Sequence, residues 1–161
     1  MKTNTKKMEE ARGEFRFLKY ITETVGAFDF PIIDKNNLTP GEVIPFNYLR
    51  STKKLDNVYV HFFINDYQFE RVWTNPTHYL HKLKQCAGVI GTDFSCYYDT
   101  PKALQIYNVY RNRCLDKFFQ VNGIDVIPVA SWGDESSFNW CFEGLPKHST
   151  IAISSNGCLK K

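Results

Sequence analysis

Along the middle of the chain, short apolar runs end on acidic residues and give way to stretches of helical spacing, three times over. The runs cover residues 58–66, 88–93 and 125–134 and close on Asp66, Asp93 and Asp134. Short apolar runs between polar or glycine residues predict buried strands. Strands alternating with helices predict βαβ units in a right-handed, mostly parallel sheet. Two more strands are predicted over 43–47 and 150–154. Spacing over 67–73 is helical. Pro76 then suits a first helical position, and that helix runs to about Gln85 before Gly88 stops it. The clearest helix begins at Thr100-Pro101, read as an N-cap followed by the first helical residue, and reaches Asn122-Gly123. Asp134 heads a short aromatic helix containing Phe138, Trp140 and Phe142, which Gly144-Leu145-Pro146 ends. The elements predict one α/β domain over 1–161. It has a mostly parallel sheet of about five strands with crossover helices, a partial barrel being one form of it. Residues 1–13 are polar and charged and read as a flexible, solvated start.

The long helix carries an oddity. At about 100° per residue, Leu104, Tyr107, Leu115 and Phe118 make one apolar stripe, with Arg111 inside it and Asn108 beside it. Lys102, Arg113, Asp116 and Gln120 fall on the opposite face, predicted to be solvated. A guanidinium on the inward face is costly without an anionic partner. Arg111 therefore either orders a catalytic acid, grips an anionic ligand, or forms a structural ion pair.

The second candidate is the acidic rim. Strand ends in a parallel sheet point one way, and ligands of open α/β sheets bind beyond the carboxyl ends of the strands. Asp66, Asp93 and Asp134 are expected there with Asn65, Ser95, Ser131, Trp132 and residues 154–156, including Asn156. Converging carboxylates can hold a magnesium ion or divide into an acid and a base. For Asp66 and Asp134 the competing role is helix capping. Asp93 lies too far from the Thr100 cap for that role, which makes it the leading catalytic candidate.

Composition narrows the picture modestly. The net charge of +3 is too small to argue for DNA binding on its own. The aromatic content of 16% predicts a core rich in ring contacts, with a nucleic-acid stacking platform as the sharper alternative. Cys86, Cys96, Cys114, Cys141 and Cys158 show no CxxC spacing, and no apolar leader or bilayer-length run is present. A reduced, cytoplasmic protein is the simplest account, with Cys96 the one thiol expected on the rim. His61 sits inside a strand run and reads as a core histidine. His78 and His81 lack residues to complete a metal site. No GxGxxG, P-loop or GxSxG pattern occurs.

Several stretches carry a family likeness. They are Ile44-Pro-Phe-Asn-Tyr48, His61-Phe-Phe-Ile-Asn-Asp-Tyr-Gln-Phe-Glu70, Thr92-Asp-Phe-Ser95, Gln105-Ile-Tyr-Asn-Val-Tyr-Arg-Asn-Arg113, Val129-Ala-Ser-Trp-Gly-Asp134 and Ala152-Ile-Ser-Ser-Asn-Gly-Cys158. In this order they resemble the domain-of-unknown-function family forty-four seventeen of bacteria, phages and other mobile elements. The resemblance runs from about Phe28 onward. It implies an α/β domain in a mobile-element setting and brings no established activity. It also implies a further helix and strand after the Gly-Cys-Leu-Lys segment, where this chain stops. An exposed sheet edge would then favour a partner or a dimer. On this footing the chain is expected to be a ligand-binding domain or enzyme acting on a nucleotide or nucleic acid. Asp93 would be base or metal ligand, Asp66 and Asp134 supporting carboxylates, and Arg111 the anion partner. Asn65, Ser95, Asn108, Trp132 and Asn156 would contact the ligand. The rival is a non-catalytic module docking on a host or phage protein, or on DNA, through Trp73, Tyr97, Tyr98 and Trp132.

Overall fold

The computed structural model describes residues 14–155; the predicted flexible segment and Asn156 lie outside them. A 3₁₀ turn at Glu14–Tyr20 leads to a small antiparallel hairpin of β1 (Thr24–Val25) and β2 (Phe30–Pro31). Gly26 bends this hairpin at φ 78°, a conformation that glycine adopts without strain. The main sheet holds β3 (Glu42–Pro45), β4 (Val58–His61), β5 (Gly88–Ile90) and β6 (Val126–Ile127). Its order is β3-β4-β5-β6, and every neighbouring pair is parallel.

The expected count of about five strands is corrected to four. The last predicted strand survives as one parallel bridge, Val129 to Ala152, with the Ala130 N–H donating to the Ala152 carbonyl and the Ala152 N–H to that of Pro128. Pro128 has no N–H to donate, so the ladder narrows immediately beyond Ile127.

Three helices follow the predicted positions. They are α1 (Glu70–Thr74), α2 (Thr77–Leu83) and α3 (Lys102–Val121). Pro76 precedes α2 as its cap residue, and Gly123, at φ 77°, follows the C-cap of α3. Thr100 does not cap α3; its hydroxyl turns back to the Tyr97 carbonyl at 2.8 Å, and Pro101 takes the cap position.

Strand alternation divides the sheet into two faces. Val58, Val60, Val89 and Val126 pack with Val72 of α1, Leu83 of α2 and Leu115, Phe118 and Phe119 of α3. Tyr59, Ile90, Ile127 and Val129 form the other face with Leu38, Phe63, Ala87 and Ala152, none of them helical. The ring-rich core expectation holds: Phe17 stacks on Trp73 at 4.5 Å and Phe69 meets Phe94 at 4.7 Å. Trp73 is thereby buried and leaves the list of surface candidates.

The solvated face expected on α3 is a second correction. Arg113 and Asp116 are almost wholly buried and Lys117 nearly so, while Leu104 of the supposed inward stripe is exposed. The reason is a second layer. Phe30 of β2 packs with Cys96, Val109, Trp140 and Cys141. Lys117 pairs with Asp34 at 2.9 Å, and the Arg113 guanidinium donates to the carbonyls of Glu143, Val129 and Cys141 at 2.9–3.1 Å. A helix covered on two sides is exposed only at its ends, where Lys102 is open as expected and Gln120 is half-buried.

His61 is half-buried, and its Nδ1 accepts the Phe63 N–H at 3.1 Å. Burial lowers its pKa; the ring is satisfied as the sequence suggested, but it sits half-buried at the strand end rather than in the core. Cys96, Cys114 and Cys141 are buried free thiols, and Cys86 is half-buried. No helix among the described residues is long and apolar enough to cross a membrane.

Candidate functional site

Beyond β5 the chain leaves the sheet, and side chains of α3 hold its backbone in place of a neighbouring strand. Asp116 accepts from the Thr92 N–H at 3.3 Å. Asn112 accepts from the Phe94 N–H at 2.9 Å and returns its amide to the Phe94 carbonyl at 3.4 Å. Asn108 donates to the Ser95 carbonyl at 2.7 Å, and Gln105 faces the Cys96 thiol at 3.7 Å. Residues 105, 108, 112 and 116 lie within an arc of about 80° on a helix, so one polar stripe binds consecutive peptides of the segment. Gly91 makes the close approach possible, because a Cβ there would sit 2.5 Å from an Asp116 oxygen.

The fixed segment presents Asp93 at the strand end. Its Oδ1 accepts a short hydrogen bond from the Ser131 hydroxyl beyond β6. Burial raises the Asp93 carboxyl to about 6; the Ser131 bond opposes this and the nearby Asp66 charge adds to it. Asp66 does not cap a helix. It accepts from the Ser95 N–H at 3.1 Å and the Ser95 hydroxyl at 2.9 Å, tying the end of β4 to the segment after β5. Asp66 and Asp93 thus lie beyond the carboxyl ends of adjacent strands, near enough for the Asp66 charge to add to the rise at Asp93.

Arg111 stands behind this pair. It meets both Glu70 oxygens at 2.9 Å, donates to Asn108 at 2.7 Å and lies 3.6 Å from the Phe94 ring centroid. Asn108 therefore connects the Arg111–Glu70 pair to Ser95, and Ser95 connects it to Asp66. Of the readings open in the sequence, the ion pair is the one the geometry shows.

The remaining candidates separate from the pair. Asp134 is fully exposed and accepts from the Ser136 N–H at 3.0 Å, the N-cap of its alternative reading; the Ser136 hydroxyl, which also donates to it, is the main cause lowering its pKa. Asn65 precedes a 3₁₀ turn without a side-chain cap bond. Trp132 is exposed and in ring contact with Phe138 and Phe142, 6.4 and 6.0 Å away. The Cys96 thiol is pushed up to about 12, chiefly by burial, so a thiolate at the rim is excluded. No group of three His, Cys, Asp or Glu among the described residues is arranged to hold a metal ion.

Sequence reasoning missed Glu70, Asn112, Gln105 and above all Asp116. Asp116 is wholly buried. Its carboxyl is raised to about 7 by burial, against the pull of Arg113 and the Thr92 N–H. The available sign was polar residues at 105, 108, 112 and 116, a spacing that helices normally give to apolar side chains.

Fold and site define a parallel α/β domain with two carboxylates, Asp66 and Asp93, beyond the ends of adjacent strands. The chain belongs to the family described as Domain of unknown function (DUF4417), whose model matches residues 22–161. It is 36% identical over 142 residues to the Gene 1 protein of Mycobacterium phage L5, covering 87% of this chain and 62% of that protein. It is 34% identical over 133 residues to the Gene 1 protein of Mycobacterium phage D29, covering 81% of this chain and 49% of that one. The chain thus spans 62% and 49% of the length of these relatives, whose phage origin fits the mobile-element setting the resemblance implied. No solved structure matches it.

Proposed function

We propose that the chain is an α/β ligand-binding domain that acts on a phosphate-bearing substrate, a nucleotide or a nucleic acid, through Asp66 and Asp93. The observation that carries this reading is geometric: the half-buried Asp93 carboxyl beyond β5 is held by the Ser131 hydroxyl, and Asp66 beyond β4 is tied to the same segment through Ser95, with burial and the Asp66 charge raising Asp93 to about 6. An acid whose pKa lies near the working pH can both donate and accept a proton. Two carboxylates repel a bare phosphate, and both nearby guanidiniums are committed, Arg111 to Glu70 and Asn108, Arg113 to three backbone carbonyls. A phosphate would therefore reach the pair through a divalent cation. Magnesium takes one or two carboxylates and fills its shell with water and phosphate oxygens. Asp66 and Asp93 are the ligands in this reading, and Asp134 has no part in it. Ser95, Asn108 and Arg111 hold the pair in place without touching the substrate.

Calorimetric titration of magnesium with a panel of nucleotides and short single strands tests the reading. Magnesium-dependent binding by the native chain is expected, with loss of that binding in a folded Asp93→Asn variant. Equal binding by both proteins, or none across the panel, would overturn it.

A second reading, docking on a host or phage protein or on DNA, is supported by a different observation. Trp132, Phe138 and Phe142 expose large rings in mutual contact, and Tyr97 and Tyr98 are exposed as well. Clustered exposed apolar surface is a feature of interaction sites. This reading gains if Trp132→Ala removes a co-purifying partner while Asp93→Asn leaves it bound.

A further inference from the structure

We propose that the carboxyl-end rim of the sheet is a stacking track for a single strand of nucleic acid. Tyr48, Tyr67, Tyr97 and Tyr98 are its base platforms, and Arg50 and Arg71 meet its phosphates. This deepens the nucleic-acid reading above, resting on it for the class of substrate. Exposed rings are distributed unevenly about the sheet. Tyr48 follows β3, Tyr67 follows β4, and Tyr97 and Tyr98 follow β5; they are 59%, 79%, 60% and 75% exposed. Trp132 follows β6 in the same sense. Among the described residues, no exposed ring stands immediately before any of these strands. All four strands are parallel, so the positions share one end of the sheet. Large exposed apolar groups gathered on one surface mark an interaction site.

Hydrogen bonds join the ring-bearing turns in a row. Asn47, next to Tyr48, donates to Gln68, next to Tyr67, at 3.0 Å. Asp66, on the other side of Tyr67, accepts from Ser95, two residues before Tyr97. Ser131, next to Trp132, donates to Asp93. The rings thus stand on linked neighbouring turns, with Asp66 and Asp93 among them. Adjacent strands lie about 4.8 Å apart, so the row crosses about 14 Å, more than one base can fill. Charge selects the occupant. Arg71 is exposed, follows Tyr67 by four residues and lies 5.2 Å from the centroid of Phe46, which begins the Tyr48 turn. Arg50 is exposed two residues beyond Tyr48, and neither arginine makes an ion pair among the described residues. Open rings interleaved with such guanidiniums match a chain that alternates flat bases with phosphates. The core of a protein interface is depleted of charge, which these turns are not. A duplex hides the faces of its bases, so the strand is single.

The test is fluorescence anisotropy of labelled oligothymidylates and oligouridylates of two, four and eight residues on the full 161-residue chain, with magnesium and then with a chelator. Affinity is expected to climb about tenfold or more with length in either series, and a duplex of equal length to bind about tenfold more weakly. Tyr67→Ala and Tyr97→Ala should each weaken the longest strand by about tenfold, the worth of one stacked base, at unchanged circular dichroism. Phe28→Ala, which removes an exposed ring of the hairpin, should leave binding as it is. Arg71→Gln should flatten the salt dependence by about one counterion. Asp93→Asn separates this inference from the carboxylate reading. Binding that follows length and rings, but neither magnesium nor Asp93, overturns the carboxylates and keeps the track. Magnesium-dependent binding that ignores length and both tyrosines overturns the track and keeps the carboxylates. Tyrosine variants that hold strands as the native chain does, yet lose a co-purifying protein, overturn the track in favour of a protein partner.

Discussion

Burial holds the Asp93 carboxyl at about 6, against an ordinary value of 3.8. The folded state therefore keeps its proton where the unfolded chain has already lost it. Stability from this group is complete below about pH 4 and is lost as pH rises through about 6. An Asp93→Asn variant has no proton to lose. It should match the native chain near pH 4 and exceed it above pH 7 by up to about 3 kcal/mol, the equivalent of two pKa units. Thermal melts across that range measure the difference; a constant offset would contradict the burial argument. Arg111 and Glu70 should respond unequally. The arginine side chain is 10% exposed and the glutamate 44%, so removing Glu70 strands a buried charge, whereas removing Arg111 leaves a carboxylate that water can reach. Glu70→Gln is expected to cost about 1–2 kcal/mol, discounted for that exposure, and Arg111→Met less, as read from denaturant midpoints.

At the scale of elements, α3 organises the site. Its polar stripe holds the backbone of residues 92–96, and its Arg113 fixes three carbonyls of the second layer. Gly91→Ala would press a methyl group against a buried carboxylate, and a loss of about 2 kcal/mol is expected from overpacking. Arg113→Lys keeps the charge but loses the planar fork, so at least one buried carbonyl is orphaned at a cost of about 2 kcal/mol. Chemical denaturation measures both. The ends of α3 were legible within a residue or two, because Pro101 and Gly123 act through local backbone geometry. The fate of its faces was not. A helical wheel assumes one dry side, and nothing local announces that β2 and the segment around Trp140 and Cys141 will cover the other.

Over the whole molecule, the two layers share α3, and residues far apart in sequence depend on it. Lys117 reaches Asp34, and Gln120 pairs with both backbone groups of the same residue. The small hairpin layer is therefore expected to unfold with the sheet. Single-tryptophan variants retaining Trp73 in the sheet-side core or Trp140 in the second layer should give coincident transitions. Two separated midpoints would show that the layers are independent.

Local chemistry determined a great deal without help from tertiary contacts. Apolar periodicity and the turn residues marked the parallel α/β order and the positions of the helices. Each depends on neighbours within a turn or a strand. Tertiary structure decided which charges meet. Asp66 turned from a cap to a partner of Ser95, Arg111 chose Glu70, and Asp116 went from solvent to the interior. Those outcomes depend on distances between segments twenty to eighty residues apart, which a one-dimensional pattern does not encode.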